Sequence, residues 1–328
     1  MKYIELTTTD AYTNLATEEY VFTCLDPQEE YFMLWQNDNA LLIGKHQNTV
    51  EEINQAFVDE NHIAVVRRLT GGGTVYHDKG NLNFTFIVHQ QRADTFSFHV
   101  FVEPVLSVLH QLGIPAQFSG RNDLTIGGMK FAGNAQYAKH GRVLAHGCMM
   151  LDANVDYLSQ ALQVKKAKYE SRGIKSVQSR VTYINKHLDT PLAMSQFKTL
   201  LREAVFLKNN IEPYELTDAD KAAIQELRDK KYATWEWNYG TSPAYNMKRE
   251  KKFPSGLVTV YMQVAKGYIQ EIHFYGDFFG NEDMGELEKQ IQGTAVNETL
   301  LPVLRSLSVE KYMNGITADD IYQLIVYE

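Results

Sequence analysis

Short apolar runs broken by turn-forming residues set the rhythm of the first half of the chain. Thr9 and Asp10 mark a helix start, and Ala11 to Thr23 reads as helical. YFMLWQ (31–36) and ALLIGKH (40–46) read as strands split by the turn Asn37-Asp38-Asn39. Glu51 to Asn61 reads as a helix. AVVRRLT (64–70), TVYHD (74–78) and NFTFIVH (83–89) read as strands around a glycine cluster. Thr95 to Leu112 has the length and apolar content of a core helix, ended by Gly113. From 117 to 151, breaks at Gly127-Gly128 and His140-Gly141 predict strands joined by hairpins.

The second half is more helical. Val155 to Gln163 reads as a short helix, and Met194 to Lys208 and Ala219 to Tyr232 as amphipathic ones. Between them, 164–184 is basic and polar with little apolar periodicity, and most of it reads as a loop. KREKKFPSG (248–256) reads as a linker. LVTVYMQVAKGYIQEIHFYG (257–276) reads as two strands around Lys266-Gly267, followed by helices at 281–291, 297–307 and 317–327. The order predicts an α+β fold with mixed sheets flanked by helices, not a βαβαβ alternation. The division expected is 1–247, a linker at 248–256, and a smaller α+β domain at 257–328.

Composition narrows the class. The 328 residues are 44% hydrophobic and 12% aromatic, enough for a sizeable core. Lys plus Arg is 32 against 40 Asp plus Glu, a net charge of −8 that makes a poor general nucleic-acid binder. The two cysteines, Cys24 and Cys148, do not make a disulfide framework. The N-terminus lacks the basic and apolar regions of a signal peptide, and no apolar run reaches about 18 residues. A cytoplasmic protein with no membrane partner is expected, and a monomer.

RRLTGGGTVYHDKGNLNF (67–84) holds the densest candidate chemistry. Three consecutive glycines cost backbone entropy, so something must come close to the chain there. The stretch lacks the Gly-Lys-Ser/Thr ending of a Walker A loop and the G-x-G-x-x-G of a dinucleotide fold. Arg67 and Arg68 offer planar forks suited to phosphate or carboxylate, and the backbone of Gly71 to Thr74 can present N–H groups to an anion.

RNDLTIGGMKFAGNAQ (121–136) and HGCMML (146–151) add to this. With SVQSRVTYI (176–184) and WEWNYGTSPAYN (235–246), these segments together resemble the lipoate–protein ligases, in order and over nearly the whole chain. The resemblance implies a biotin/lipoate ligase-like catalytic domain with a small C-terminal accessory domain. It implies activation of lipoate by ATP as lipoyl-AMP, then transfer to a lysine of an acceptor: the glycine-cleavage H protein or E2 subunits of 2-oxoacid dehydrogenases. ATP with Mg²⁺ and lipoate would be substrates, with no tightly bound prosthetic group.

By the same resemblance Lys130 is the catalytic lysine, reaching acyl carboxyl and α-phosphate. Arg68, Gly73, Thr74, Val75, Tyr76, Asn81, Asp123, Lys175 and Arg180 join it at ATP or the adenylate, Asp123 also as a metal ligand. Trp35, Gly71, Gly72, Gly73, Gly133 and His146 join it at lipoate. The basic loop 164–181 would order over the adenylate and exclude water. Three positions depart from the family pattern. Thr70 replaces Ser and keeps the hydroxyl, Ala132 replaces Ser and loses it, and Cys148 replaces Thr. A thiol there opens an alternative: an octanoyl- or lipoyl-amidotransferase working through Cys148 without ATP. A non-catalytic lipoate-binding protein is a third reading.

Overall fold

The computed structural model describes residues 1–90, 98–119, 122–162, 180–208, 210–240 and 245–327. In chain order come β1 (Lys2–Glu5), α1 (Ala11–Thr23), β2 (Tyr31–Trp35), β3 (Ala40–Ile43), α2 (Thr49–Glu52), α3 (Gln55–Glu60), β4 (Ala64–Arg67), β5 (Val75–His77) and β6 (Asn81–His89). Next are α4 (His99–Gln111), β7 (Ala116–Ser119), β8 (Asp123–Ile126), β9 (Met129–Lys139), β10 (Arg142–Met150) and α5 (Val155–Ala161). Then follow α6 (Met194–Lys208), β11 (Glu212–Pro213), α7 (Asp218–Leu227) and α8 (Trp235–Asn238). β12 (Met247–Phe253), β13 (Gly256–Ala265), β14 (Tyr268–Gly276), α9 (Met284–Ile291), α10 (Leu300–Ser306) and α11 (Ala318–Val326) complete the series.

Two compact units emerge, and they do not follow the linear division at 247/248. The N-terminal unit comprises Met1–Ile43, Val50–Arg67 and Thr74–Asn238. Gly44–Thr49 and Arg68–Gly73 group instead with Tyr239–Glu328 as the C-terminal unit.

The N-terminal unit is built on an eight-stranded sheet of order β11-β1-β2-β6-β10-β9-β8-β7. It is parallel across β11, β1 and β2 and antiparallel from β2 onward. Alternation along the central strand β6 sorts its two faces. Leu82, Phe84, Phe86 and Val88 enter a core with Val102, Val105 and Leu109 of α4 and Phe197, Leu201 and Val205 of α6. Asn81, Asn83 and Thr85, on the other face, are buried as well. A sheet face that buries amides and a hydroxyl needs partners for them. A smaller sheet, β4-β3-β5, completes the unit.

Several elements differ from the sequence expectation. The helix predicted over 51–61 is two pieces, because the Asn54 side chain caps α3 by accepting from the Phe57 N–H. The one predicted over 219–232 is α-helical to Leu227 and continues as a π-helical turn, Arg228–Tyr232. β1 and β11 are strands too short to stand out as apolar runs. The supposed linker KREKKFPSG is mostly β12, the outer strand of the C-terminal sheet β12-β13-β14. Its charges are those of an edge strand. Glu250 accepts from Thr259 Oγ1 at 2.9 Å and the Lys248 ammonium lies 4.7 Å from the Tyr261 ring centre, both cross-strand pairs. The sheet packs Val258, Val260, Met262, Ile272 and Phe274 against Leu287 and Ile291 of α9 and Ile321 and Leu324 of α11. Among the described residues no helix is long and apolar enough to cross a membrane.

His273 gives the C-terminal unit a pH dependence. Its ring lies between Glu288 (3.2 Å) and Glu271 (3.0 Å). Hydrogen bonding to Glu288 chiefly, and to Glu271, raises its pKa from 6.5 to about 9. The folded state therefore holds the proton more tightly than the unfolded chain. The stabilisation is complete below about pH 6.5 and fades as pH rises through about 9. Thermal unfolding followed at pH 6.5, 8 and 9.5 should show a declining midpoint, and His273→Gln should flatten part of the decline. An identical pH dependence in the variant would remove His273 as the cause.

Candidate functional site

One line of residues crosses five adjacent strands of the large sheet. Asp123 on β8 pairs with Gly133 on β9, Gly133 with Cys148 on β10, Cys148 with Asn83 on β6, and Asn83 with Trp35 on β2. Directly paired residues of an antiparallel ladder share a face. The register thus sets a carboxylate, a bare backbone, a thiol, an amide and an indole in a row. Gly133 and Cys148 are partly exposed, whereas Asn83 and Trp35 are each 2% exposed. The row runs from an open end to a closed one.

Lys130 stands at the open end. A register shift between Leu124 and Thr125 re-aims the start of β9. The Lys130 backbone is pinned on its far side, its N–H donating to Arg180 O at 2.7 Å and its carbonyl accepting from Thr182 N at 2.8 Å. The ammonium lies 2.7 Å from Asp123 Oδ1, with both side chains about one-third exposed (36% and 37%). It also lies over Gly133, where a Cβ would come within 3.0 Å of Nζ and 3.2 Å of Cε. Gly133 therefore leaves room for the Lys130 ammonium. Asn122 and Asn134 clasp each other's carbonyls through their side-chain amides at 2.7 and 3.0 Å, which fixes the residue next to Asp123.

The closed end is a polar network. Trp35 Nε1 donates to Thr85 Oγ1 at 2.9 Å, and that hydroxyl donates to Glu18 Oε1 at 2.7 Å. His146 Nδ1 lies 2.8 Å from the same Glu18 oxygen. Glu18 is 1% exposed, and so enclosed a carboxylate requires such partners. Two residues expected from sequence, Trp35 and His146, are thus joined by two that were not, Thr85 and Glu18. No sequence signal marks them: α1 buries Asn14, Thr17 and Glu18 on the face where an amphipathic helix carries apolar residues.

Other expected residues hold turns. Asn81 accepts from the Asp78 N–H at 2.9 Å and donates to Cys148 Sγ at 3.4 Å. Asp78 accepts from the N–H groups of Gly80 and Asn154, both at 2.8 Å. Thr74, Val75 and Tyr76 lie at or beside β5, on the small sheet rather than in the row. Tyr76 donates to Asn39 Oδ1 at 3.1 Å, and burial pushes its phenol up to about 12. Arg67 is held by the WEWN segment: its N–H donates to Asn238 Oδ1 at 2.8 Å and its Nε to Trp237 O at 3.0 Å. Lys175, and with it residues 163–179 of the basic segment, lies outside the described residues.

Arg68 and the glycine triplet belong to the C-terminal unit. The guanidinium of Arg68 braces the loop, donating to Thr70 Oγ1 at 3.1 Å and to the carbonyls of Gly71 and Gly73 at 2.8 Å each. What comes close to Gly71 is protein: a Cβ there would meet Phe278 O at 2.3 Å and Phe279 Cα at 3.1 Å. Gly72 adopts φ +93°, and a Cβ on Gly73 would meet no atom of the described residues within 4 Å. Gly71→Ala should therefore cost about 1–3 kcal/mol as an overpacked contact. Gly73→Ala should stay within about 0.5 kcal/mol. Denaturant unfolding of the two variants would decide, and equal stabilities would contradict the assignment of Gly71 to packing.

Asp123, expected also as a metal ligand, is the ion-pair partner of Lys130. Among the described residues no three His, Cys, Asp or Glu side chains group as a metal site, and the Asp123 carboxylate is paired with Lys130. One carboxylate already paired with an ammonium does not make a Mg²⁺ centre on its own. A cavity of about 900 Å³ lined by Tyr3, Glu5, Thr13, Arg202 and Tyr214 contains none of the expected residues.

Comparison with known proteins gives consistent findings. Residues 10–206 match the family model for the lipoyl protein ligase A/B catalytic domain. Residues 242–325 match the model for the bacterial lipoate protein ligase C-terminus. The chain is 42% identical over 320 residues to the lipoate-protein ligase LplJ of Bacillus subtilis, covering 96% of this chain and 97% of that one. It is similar to a bi-partite lipoate protein ligase of Thermoplasma acidophilum, described with its E2 lipoyl domain (TM-score 0.66, 28% identity, 75% of this chain and 98% of that one). It is also similar to a lipoate-protein ligase A bound with ATP (TM-score 0.62, 26% identity, 73% and 98%).

Proposed function

The chain belongs to the lipoate–protein ligase family, and from that membership we propose that it joins lipoate to an acceptor lysine in two steps driven by ATP. In the first, a lipoate carboxylate oxygen attacks the α-phosphorus of ATP, and the bond to the leaving pyrophosphate breaks. Lipoyl-AMP forms. In the second, a neutral lysine amine of the acceptor attacks the acyl carbonyl, AMP departs, and the amine loses its proton.

The observation that carries this reading is the Lys130 ammonium, held at 2.7 Å by Asp123 and lying over the bare backbone of Gly133. A point charge fixed before the reaction stabilises the negative charge that builds on phosphoryl and carbonyl oxygens. The row beyond it, toward Trp35, offers a lane for the acyl chain. His146, through Glu18, belongs to that lane's end. Thr74, Val75, Tyr76, Asn81 and Arg180 are assigned to the nucleotide, as are Arg68, Gly73 and Lys175. Gly71 and Gly72 keep their lipoate assignment from the resemblance. Mg²⁺ would enter with ATP, held on phosphate oxygens and water as this ion commonly is. The acceptors proposed are H protein and E2 lipoyl domains, and the relative described with its E2 lipoyl domain supports the second. The test is mass analysis of a purified acceptor domain incubated with protein, lipoate and ATP. A lipoyl adduct that requires ATP is expected, and an adduct formed equally without ATP would refute the adenylate route.

One observation favours a second reading. Cys148 is the direct partner of Gly133, so a thiol stands one strand from the Lys130 ammonium. An acyl-enzyme route would pass the acyl group through a Cys148 thioester. Against it, the Asn81 amide donates to Cys148 Sγ at 3.4 Å and His146 Nδ1 is engaged by Glu18. Cys148→Thr should keep ATP-dependent ligation within about threefold, since a surface-lining methyl and hydroxyl occupy nearly the same volume. An acyl group trapped on Cys148, with a dead Cys148→Thr variant, would transfer the protein to the amidotransferase reading.

A further inference from the structure

Asn83 has a buried amide that the fold leaves unanswered. It lies at 2% exposure in the middle of the row, between Cys148 and Trp35. Its Nδ2 finds no hydrogen-bond partner among the described residues. A buried donor left so costs about 1–3 kcal/mol. Its neighbours on the same face do not share the problem: Thr85, Glu18, His146 and Trp35 satisfy one another, and Asn81 has its turn and Cys148. An apolar residue would have filled the position without that cost, so the amide calls for a ligand acceptor.

The register says which part of a ligand would meet it. The Lys130 ammonium lies over Gly133, and Asn83 is two strands further along the same row. Two strand spacings are about 10 Å. An eight-carbon chain of roughly 1.5 Å bonds spans about 9 Å when extended. An acid whose carboxyl end sits at Lys130 therefore brings its far end to Asn83. In lipoate that end is the dithiolane ring, whose sulfurs are weak acceptors of the thioether kind.

Building on the ligase reading above, we propose that Asn83 is a specificity-determining residue that donates from Nδ2 to a dithiolane sulfur of lipoate. It distinguishes the sulfur ring from a carbon chain or ring of the same length. The polar network of Trp35, Thr85, Glu18 and His146 keeps the lane's end from serving as a purely apolar slot. The proposal concerns recognition of the tail, not catalysis at the carboxyl.

The test compares lipoate with 5-cyclopentylpentanoic acid, which replaces both sulfurs by methylene groups, in acid-dependent pyrophosphate release from ATP. The wild-type protein should favour lipoate in kcat/KM by about five- to tenfold, the worth of one net hydrogen bond. The preference should lie in KM. Asn83→Leu, which removes the donor at similar volume, should bring the two acids within about twofold of each other, leaving kcat near wild type. Equal use of both acids by the wild type would overturn the proposal whether or not the variant folds. So would a folded Asn83→Leu that loses both acids in equal proportion. Failure of the wild type to release pyrophosphate with either acid would instead overturn the ligase reading on which the proposal rests.

Discussion

Lys130→Ala should lower lipoate-dependent adenylate formation by about 10²–10³-fold, the usual cost of one preorganised charge at a reacting centre. The fold should survive, because the side chain is one-third exposed and contributes to neither hydrophobic core. The backbone bonds that tie residue 130 to Arg180 and Thr182 do not depend on the side chain. Lys130→Arg should fail nearly as badly. A planar guanidinium is wider than an ammonium and cannot settle over Gly133 at the distance that Nζ keeps. Near-normal adenylate formation by either folded variant, measured as pyrophosphate release with lipoate present, would remove Lys130 from the catalytic role.

Gly133→Val should have the second largest effect, about a 10²-fold loss of adenylation, through displacement of the Lys130 ammonium. Even a methyl would stand 3.0 Å from Nζ, and the two further carbons of valine would crowd the ammonium more. Among the described residues no other atom comes within 4 Å of a Cβ at Gly133, so stability should change little and the loss should appear in kcat more than in the KM for ATP. Gly133→Ala should fall between wild type and valine, because the end of a lysine can yield by a few tenths of an ångström. Full activity in Gly133→Val would mean that Lys130 works from another position.

Much of this site is legible in the sequence, and the parts that are not share a physical reason. Lys130, Gly133, Asp123, His146 and Trp35 stand in recognisable segments, and the structure joins them by strand register and short hydrogen bonds. Glu18, Thr85 and Asn83 escape notice because burial is decided by tertiary packing, and no local pattern marks a carboxylate 1% exposed on a helix of mixed composition. The glycine triplet hides a second demand on its backbone. Its composition suggests a ligand cradle along its whole length, yet Gly71 is crowded by Phe278 and Phe279, residues some two hundred positions later. Contacts at that separation leave no trace in the local sequence. The strand β12 was obscured by its charges, which on an edge are compatible with pairing.

The most direct measurement is exchange of labelled pyrophosphate into ATP with no acceptor protein present. A bound acyl-adenylate formed reversibly predicts exchange that requires lipoate and disappears in Lys130→Ala. Lipoyl transfer to an acceptor without ATP, together with no lipoate-dependent exchange, would contradict the account.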